Sequence, residues 1–194
     1  MLPGMAGGID DRVLMVRYRN GDVAAFETLY THHKGPLYRY FLRQGQSQEN
    51  ASELFQEVWT KIIRAKDRYQ PTAKFTTYMY QLAHNCLVDH LRKQSRKPHH
   101  AGNTVEIDPD EVAADASDGP ELGAENLQTI ERFRAALAAL PPEQKEAFVM
   151  REEGGLSLNE IAAVTGVSAE TAKSRLRYAV NKLRQNFSDK EGFE

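Results

Sequence analysis

The 194-residue chain has a single cysteine, Cys86, so no internal disulfide can form. A thiol used this sparingly is expected as a small core hydrophobe in a reducing cytoplasm. No run approaches the roughly 20 apolar residues that a membrane helix needs, so no membrane insertion is expected. The first residues lack the basic-then-apolar order of a signal peptide; Asp10 and Asp11 follow a short Gly-containing start. Strand signals are missing too: apolar and polar residues do not alternate, and β-branched residues are scattered through helical spacings. The histidines are His32, His33, His84, His90, His99 and His100. They form no His-Glu-x-x-His motif, and His84 and His90 are badly phased on one helix. A phosphate-cradling glycine-rich loop is lacking, as is a carboxylate pair with an apolar pocket. These gaps argue against an enzyme, a metal site or a cofactor.

Charge is present but unevenly placed, and the overall −2 conceals this. Residues 1–100 carry a net charge of +6, residues 101–130 have eight acids and no base, and residues 131–194 balance. The chain therefore divides into a basic block, an acidic strip and a neutral block.

Apolar spacing in the first block is helical. Asp22 can cap a helix with Phe26, Leu29, Tyr30, Leu37, Tyr38 and Phe41 on one side, which Gly35-Pro36 is expected to kink or interrupt. Ser47 can cap a second helix with Ala51, Leu54, Phe55, Val58 and Ile62 inside. A turn-rich piece at 67–73 precedes a third helix. That helix should bury Phe75, Met79, Leu82, Ala83, Cys86 and Leu87 and stop before Pro98. The spacing leaves Tyr80 undecided. Composition then turns to Gly, Pro, Asp, Ala and Ser, which reads as a flexible acidic linker. From about Glu125 helical spacing resumes. Leu137, Leu140 and Pro141-Pro142 mark one helix end and the next start, and Ala147, Phe148 and Met150 indicate a middle helix.

The segment Leu156–Ala179 reads as two helices around a tight turn. Leu158, Ile161 and Ala162 give the first a buried face, Gly166 supplies a left-handed turn position, Val167 fills the gap, and Ser168 caps the second. Ala172, Leu176, Ala179, Val180 and Leu183 form an apolar stripe, with Glu170, Lys173, Ser174, Arg177 and Asn181 opposite. Residues 168–184 hold five bases and one acid. Polar readers flanked by phosphate-attracting charge suit a helix entering a major groove. A hairpin with a merely solvated face would share this pattern.

With both blocks laid out, the chain resembles a bacterial RNA polymerase sigma factor of the extracytoplasmic-function type. The likeness rests on Gly21-Asp22 with Ala25-Phe26 and Leu29-Tyr30, on Ala51–Trp59, on Lys74–Asn85 with Asp89 and Leu91-Arg92, and on Leu137, Leu140–Gln144 and Thr171–Leu176. It implies an all-α chain: a polymerase-binding and minus-ten domain at 10–97, a flexible acidic linker at 98–124, and a minus-thirty-five domain at 125–187 ending in the helix-turn-helix. The implied partners are core RNA polymerase, through its clamp coiled coil and the flap of its large subunits, promoter DNA, and a cognate anti-sigma factor.

Residue roles follow from the same resemblance, and the physics agrees with them. Glu53, Leu54, Gln56 and Glu57 would meet core polymerase. Arg68, Lys74, Thr77, Tyr78, Gln81, Asn85 and Arg92 would take the non-template minus-ten strand, rings and amides stacking on unpaired bases while cations hold phosphates. Glu170, Thr171, Lys173, Ser174, Arg175, Arg177 and Tyr178 would face the minus-thirty-five duplex. Lys173 and Arg177 are placed for bidentate contact with guanine, and Arg175 for the backbone.

Several positions depart from the family's usual pattern: Ser52 for an acid, Tyr78 for Trp, Gln81 for Arg, Glu170 and Ala172 for Gly and Val, and the Arg177-Tyr178 order. These bear on the promoter sequence rather than on the class. Glu170 would either repel phosphate or accept from a cytosine amine. The acidic linker would act as a nucleic-acid mimic or as a spacer. An alternative is a helix-turn-helix activator or repressor that does not replace sigma, which leaves Gln56-Glu57 and the Phe75–Asn85 block without a purpose.

Overall fold

The computed structural model describes residues 9–96 and 124–188, and these form eight α-helices with no strand among them. The all-α expectation holds. The linker expected at 98–124 lies outside the described residues except for Ala124, the first residue of α5. No helix among the described residues is long and apolar enough to cross a membrane.

The first domain holds α1 (Asp11–Arg19), α2 (Val23–Arg43), α3 (Gln48–Ala65), a 3-10 turn at Lys66–Arg68, and α4 (Phe75–Arg96). Side-chain caps start three of its helices. Asp10 accepts from Arg12 N–H, Asp22 from Ala25 N–H, and Ser47 from Asn50 N–H. Each such cap satisfies an orphan amide, for about 1 kcal/mol. Helix α1 was not marked in the sequence; it buries only Leu14 and Met15, too few for a periodic signal.

The expectation that Gly35-Pro36 would interrupt α2 is corrected, because the helix runs unbroken through Pro36. An interior proline costs about 3 kcal/mol. Here Leu29, Leu37, Tyr40 and Phe41 are buried on both sides of it, and burial of such chains is worth about 1.5–3 kcal/mol each. Packing outweighs the lost hydrogen bond. Ala51, Leu54, Val58, Trp59 and Ile62 from α3 and Phe75, Met79, Tyr80, Ala83, Cys86 and Leu87 from α4 complete this core. Trp59 meets Phe26 edge-on at 5.6 Å.

The second domain holds α5 (Ala124–Ala138), α6 (Pro142–Gly154), α7 (Leu158–Thr165) and α8 (Ala169–Ser188). Pro142 opens α6, where its missing N–H has no intrahelical partner to lose, and left-handed Gly155 closes it. Ala136, Leu137, Leu140, Ala147, Val149, Met150, Leu156, Ile161, Val164, Ala172, Ala179 and Leu183 are buried together. The two domains pack on each other: α2 lies against α6, and α4 against α6 and α7.

Candidate nucleic-acid and polymerase interfaces

The helix-turn-helix is built by local rules. Ser157 Oγ accepts from Glu160 N–H at 3.3 Å while the Glu160 carboxylate accepts from Ser157 N–H at 2.8 Å, a complete capping box at the start of α7. The Ser-x-x-Glu spacing could have revealed this box in the sequence. Gly166 ends α7 at φ +68°, as its turn role demanded. Ser168 Oγ accepts from Thr171 N–H at 3.1 Å and opens α8. Helix α8 buries Ala172, Ala179 and Leu183, and half-buries Leu176 and Val180. Glu170, Thr171, Lys173, Arg177 and Tyr178 are exposed, and Ser174 and Arg175 are half-buried beside them. The Arg177 guanidinium lies over the Tyr178 ring, 5.2 Å from its centroid, so the pair forms one stacked unit on an open face.

The α4 residues are distributed differently. Arg68, Lys74, Gln81, Asn85 and Arg92 are exposed, Tyr78 is half-buried, and Thr77 is buried. Tyr78 rests on Tyr69 at 5.4 Å, and Arg19 Nη1 donates to the Tyr69 carbonyl at 3.0 Å, which ties the loop after the 3-10 turn to α1. Tyr80, undecided in the sequence, is fully buried.

On α3, Glu53, Gln56 and Glu57 are exposed, whereas Leu54 is buried at 2% exposure and belongs to the core beneath them. Glu57 is paired with Lys61 at 2.8 Å, and that hydrogen bond holds its carboxyl below the ordinary glutamate range. Lys61 Nζ also lies 3.1 Å from the buried Cys86 thiol. Beside this surface a groove between α2 and α3 is lined by Tyr30, Lys34, Gly35, Tyr38, Ser52 and Phe55. Tyr30 and Phe55, assigned to the interior by their spacing, form its aromatic floor; period alone does not separate core from the rim of a groove.

Comparison with known proteins adds the deciding observation. The model of Sigma-70 region 2 matches residues 29–97, and that of Sigma-70 region 4 matches residues 130–183. The RNA polymerase sigma factor CarQ of Myxococcus xanthus is 30% identical over 177 residues, covering 91% of this chain and 97% of CarQ. The ECF RNA polymerase sigma-E factor of Escherichia coli strain K12 is 30% identical over 182 residues, covering 89% and 91% of the two chains. The chain belongs to the extracytoplasmic-function sigma factors. Such a factor binds core RNA polymerase and directs promoter recognition and transcription initiation, so this sigma factor has core polymerase and promoter DNA as its partners.

Two solved structures share its fold. CnrH, solved in complex with the cytosolic domain of CnrY, is 19% identical with a TM-score of 0.66, covering 93% of this sigma factor and 98% of CnrH. The sigma factor RpoE of Bartonella quintana, solved with the anti-sigma factor NepR, is 20% identical with a TM-score of 0.67, covering 84% and 96%.

Proposed function

We propose that this sigma factor divides promoter reading between its two domains. Helix α8 enters the major groove of the minus-thirty-five element, with Lys173 and Arg177 reading bases and Arg175 and Thr171 holding the backbone. Helix α4 and the loop at 68–74 take the non-template strand of the minus-ten element, using Arg68, Lys74, Thr77, Tyr78, Gln81, Asn85 and Arg92. Glu53, Gln56 and Glu57, with the aromatic groove beside them, dock on core polymerase. The observation that carries this reading is the exposed cationic face of α8, set directly opposite its buried alanine and leucine stripe. The factor acts in the cytoplasm and performs no catalysis of its own; nucleotidyl transfer belongs to the polymerase. A cognate anti-sigma factor holds it inactive, a role supported by the complex in which the Bartonella quintana factor was solved.

The test is transcription in vitro with purified core polymerase on a pool of promoter fragments, with and without this protein. New specific transcripts are the expected result, and their aligned upstream sequences give both promoter elements. Specific duplex binding without any transcript would replace this reading with a helix-turn-helix repressor or activator.

A further inference from the structure

Of the cations on the exposed side of α8, only Arg177 is held by a neighbour. Its guanidinium carbon lies 5.2 Å from the centroid of the Tyr178 ring. Lys173 and Arg175 have no ring under them among the described residues. No carboxylate pairs with Arg177 among those residues either, so its five N–H donors stay open to a ligand. Tyr178 is 53% exposed, and its hydroxyl has no hydrogen-bond partner among the described residues. A single exposed ring is ordinary on a protein surface. What sets Tyr178 apart is the cation resting on its face.

Helix geometry shows where this contact puts the charge. Successive residues stand about 100° apart around a helix, with about 1.5 Å of rise. Ala172, Ala179 and Leu183 are buried, and Ser174 lies roughly opposite them. Arg177 falls to one side of Ser174 and Tyr178 to the other. A free Arg177 would sweep its own flank of the helix. Stacked on Tyr178, its guanidinium is drawn toward the middle of the exposed face, where the short Ser174 side chain leaves room for a base edge.

The energetic consequence is preorganisation. Arginine reads guanine by placing two donors at once on O6 and N7, which requires a long side chain to give up its rotamer freedom. A ring already beneath the guanidinium removes part of that cost before the DNA arrives. It does so without using the donors, because the ring meets the cation through its face. Lys173, one turn earlier and without such support, bears the full ordering cost of its own contact. The Arg177-Tyr178 order is one of this chain's departures from the family's usual pattern, so the stack belongs to this factor's own sequence.

We propose that Tyr178 is a positioning residue for base reading: its ring holds the Arg177 guanidinium as a preformed fork for guanine in the minus-thirty-five duplex. The proposal rests on the reading of α8 given above. Tyr178 acts through Arg177 and takes no base contact of its own. Its effect is therefore confined to the one base pair that Arg177 reads. Phosphate contacts, and with them the salt dependence of binding, are left to the other cations.

The experiment is fluorescence anisotropy on the full chain. The probes are fluorescein-labelled duplexes carrying the minus-thirty-five element recovered from the transcription pool, together with its single-base-pair changes. Arg177→Ala marks the position it reads, where the preference for guanine should flatten. Tyr178→Leu should lower the preference at that same position about two- to fivefold, the worth of an exposed cation–π contact, with other positions and the salt dependence as in the parent. Tyr178→Phe keeps the ring and should keep the preference. Added to Arg177→Ala, Tyr178→Leu should change nothing further, since the ring acts only through the arginine. A Tyr178→Leu loss spread evenly over all duplexes overturns the proposal, because the ring then contacts the backbone. So does a loss that adds to that of Arg177→Ala, or a Tyr178→Phe variant as impaired as Tyr178→Leu, which would give the hydroxyl a contact of its own. An element with no guanine position that Arg177→Ala flattens overturns it as well. In each of these cases transcripts from the pool leave the sigma reading standing, whereas the absence of any transcript removes both.

Discussion

Replacing Glu160 removes two kinds of support, and the structure lets them be separated. Within α7 its carboxylate closes the capping box on Ser157 at 2.8 Å; across the domains it accepts from Thr77 at 3.1 Å and Lys74 at 3.2 Å. The cap is worth about 1 kcal/mol. Lys74 has a side chain 64% exposed, so its ion pair contributes about 1 kcal/mol at most. Thr77 is buried, and a hydrogen bond to a charged acceptor there contributes about 1.5–3 kcal/mol. Ser157→Ala should therefore cost about 1 kcal/mol, and Glu160→Ala about 3 kcal/mol. Thr77→Val, which keeps the side-chain shape, should fall between them. Burial alone would raise the Glu160 carboxyl, but the bonds from Ser157, Lys74 and Thr77 outweigh it and lower the pKa to about 2. Because the folded value lies below the unfolded one, this stabilisation is complete above the ordinary glutamate range and is lost as pH falls toward about 2. Urea denaturation followed by far-ultraviolet circular dichroism, at neutral pH and along a descending series, measures each term. If Ser157→Ala and Glu160→Ala destabilise equally, Glu160 contributes nothing across the domains and the reasoning is wrong.

Lys173→Ala and Arg177→Ala should each weaken minus-thirty-five binding by about 1–3 kcal/mol in fluorescence anisotropy while core binding stays intact; an equal loss of core affinity would sink their assignment. Gln56→Ala should weaken association with core polymerase, and an unchanged dissociation constant would remove Gln56 from that interface. Gly166→Ala forces a side chain into φ +68° and should lower stability by about 1–2 kcal/mol in thermal melts, a change that an ordinary helical glycine would not show. The hydrogen bond to Glu146 raises the His84 pKa, so its charged contact is fully present below the ordinary histidine value and is lost as pH rises through the raised one. Glu146 and the Tyr40 hydroxyl it binds are the ionisable groups at this contact. Scattering should show a domain pair that loosens as pH is raised from below the ordinary histidine value to above the raised one, and an identical profile across the whole series would refute the contact's contribution.

Local chemistry was legible in the sequence where one or two turns of chain decide the outcome. Asp22, Ser47, Gly166 and Ser168 act as caps and turn residues because their effects reach only neighbouring amides. The buried stripe of α8 follows from spacing alone, and with it the exposure of Lys173 and Arg177. The failures share a cause. Gly35-Pro36 was expected to kink or interrupt α2; the interruption does not occur, because residues on α3 and α4 hold the helix together. Tyr80 could not be assigned because its ring packs on Tyr40 and against Gly154, both far along the chain. Thr77 was placed on an open reading face, whereas its partner Glu160 lies in another domain. Leu54 was placed inside α3 by its spacing and does lie in the core, beneath exposed Gln56 and Glu57; only the polymerase-binding motif, which also included it, draws no such distinction.

The unbroken α2 makes one rod serve two surfaces. Before Pro36 it offers Tyr30, Lys34 and Gly35 to the groove beside α3; beyond it, Arg39, Tyr40 and Arg43 clasp α6. At the join the His32 carbonyl lacks its usual helical donor, because Pro36 has no N–H, and this is the softest point of the rod. A force applied at the groove therefore reaches the clasp through helix alone, with no loop to absorb it, and any bend concentrates at Pro36.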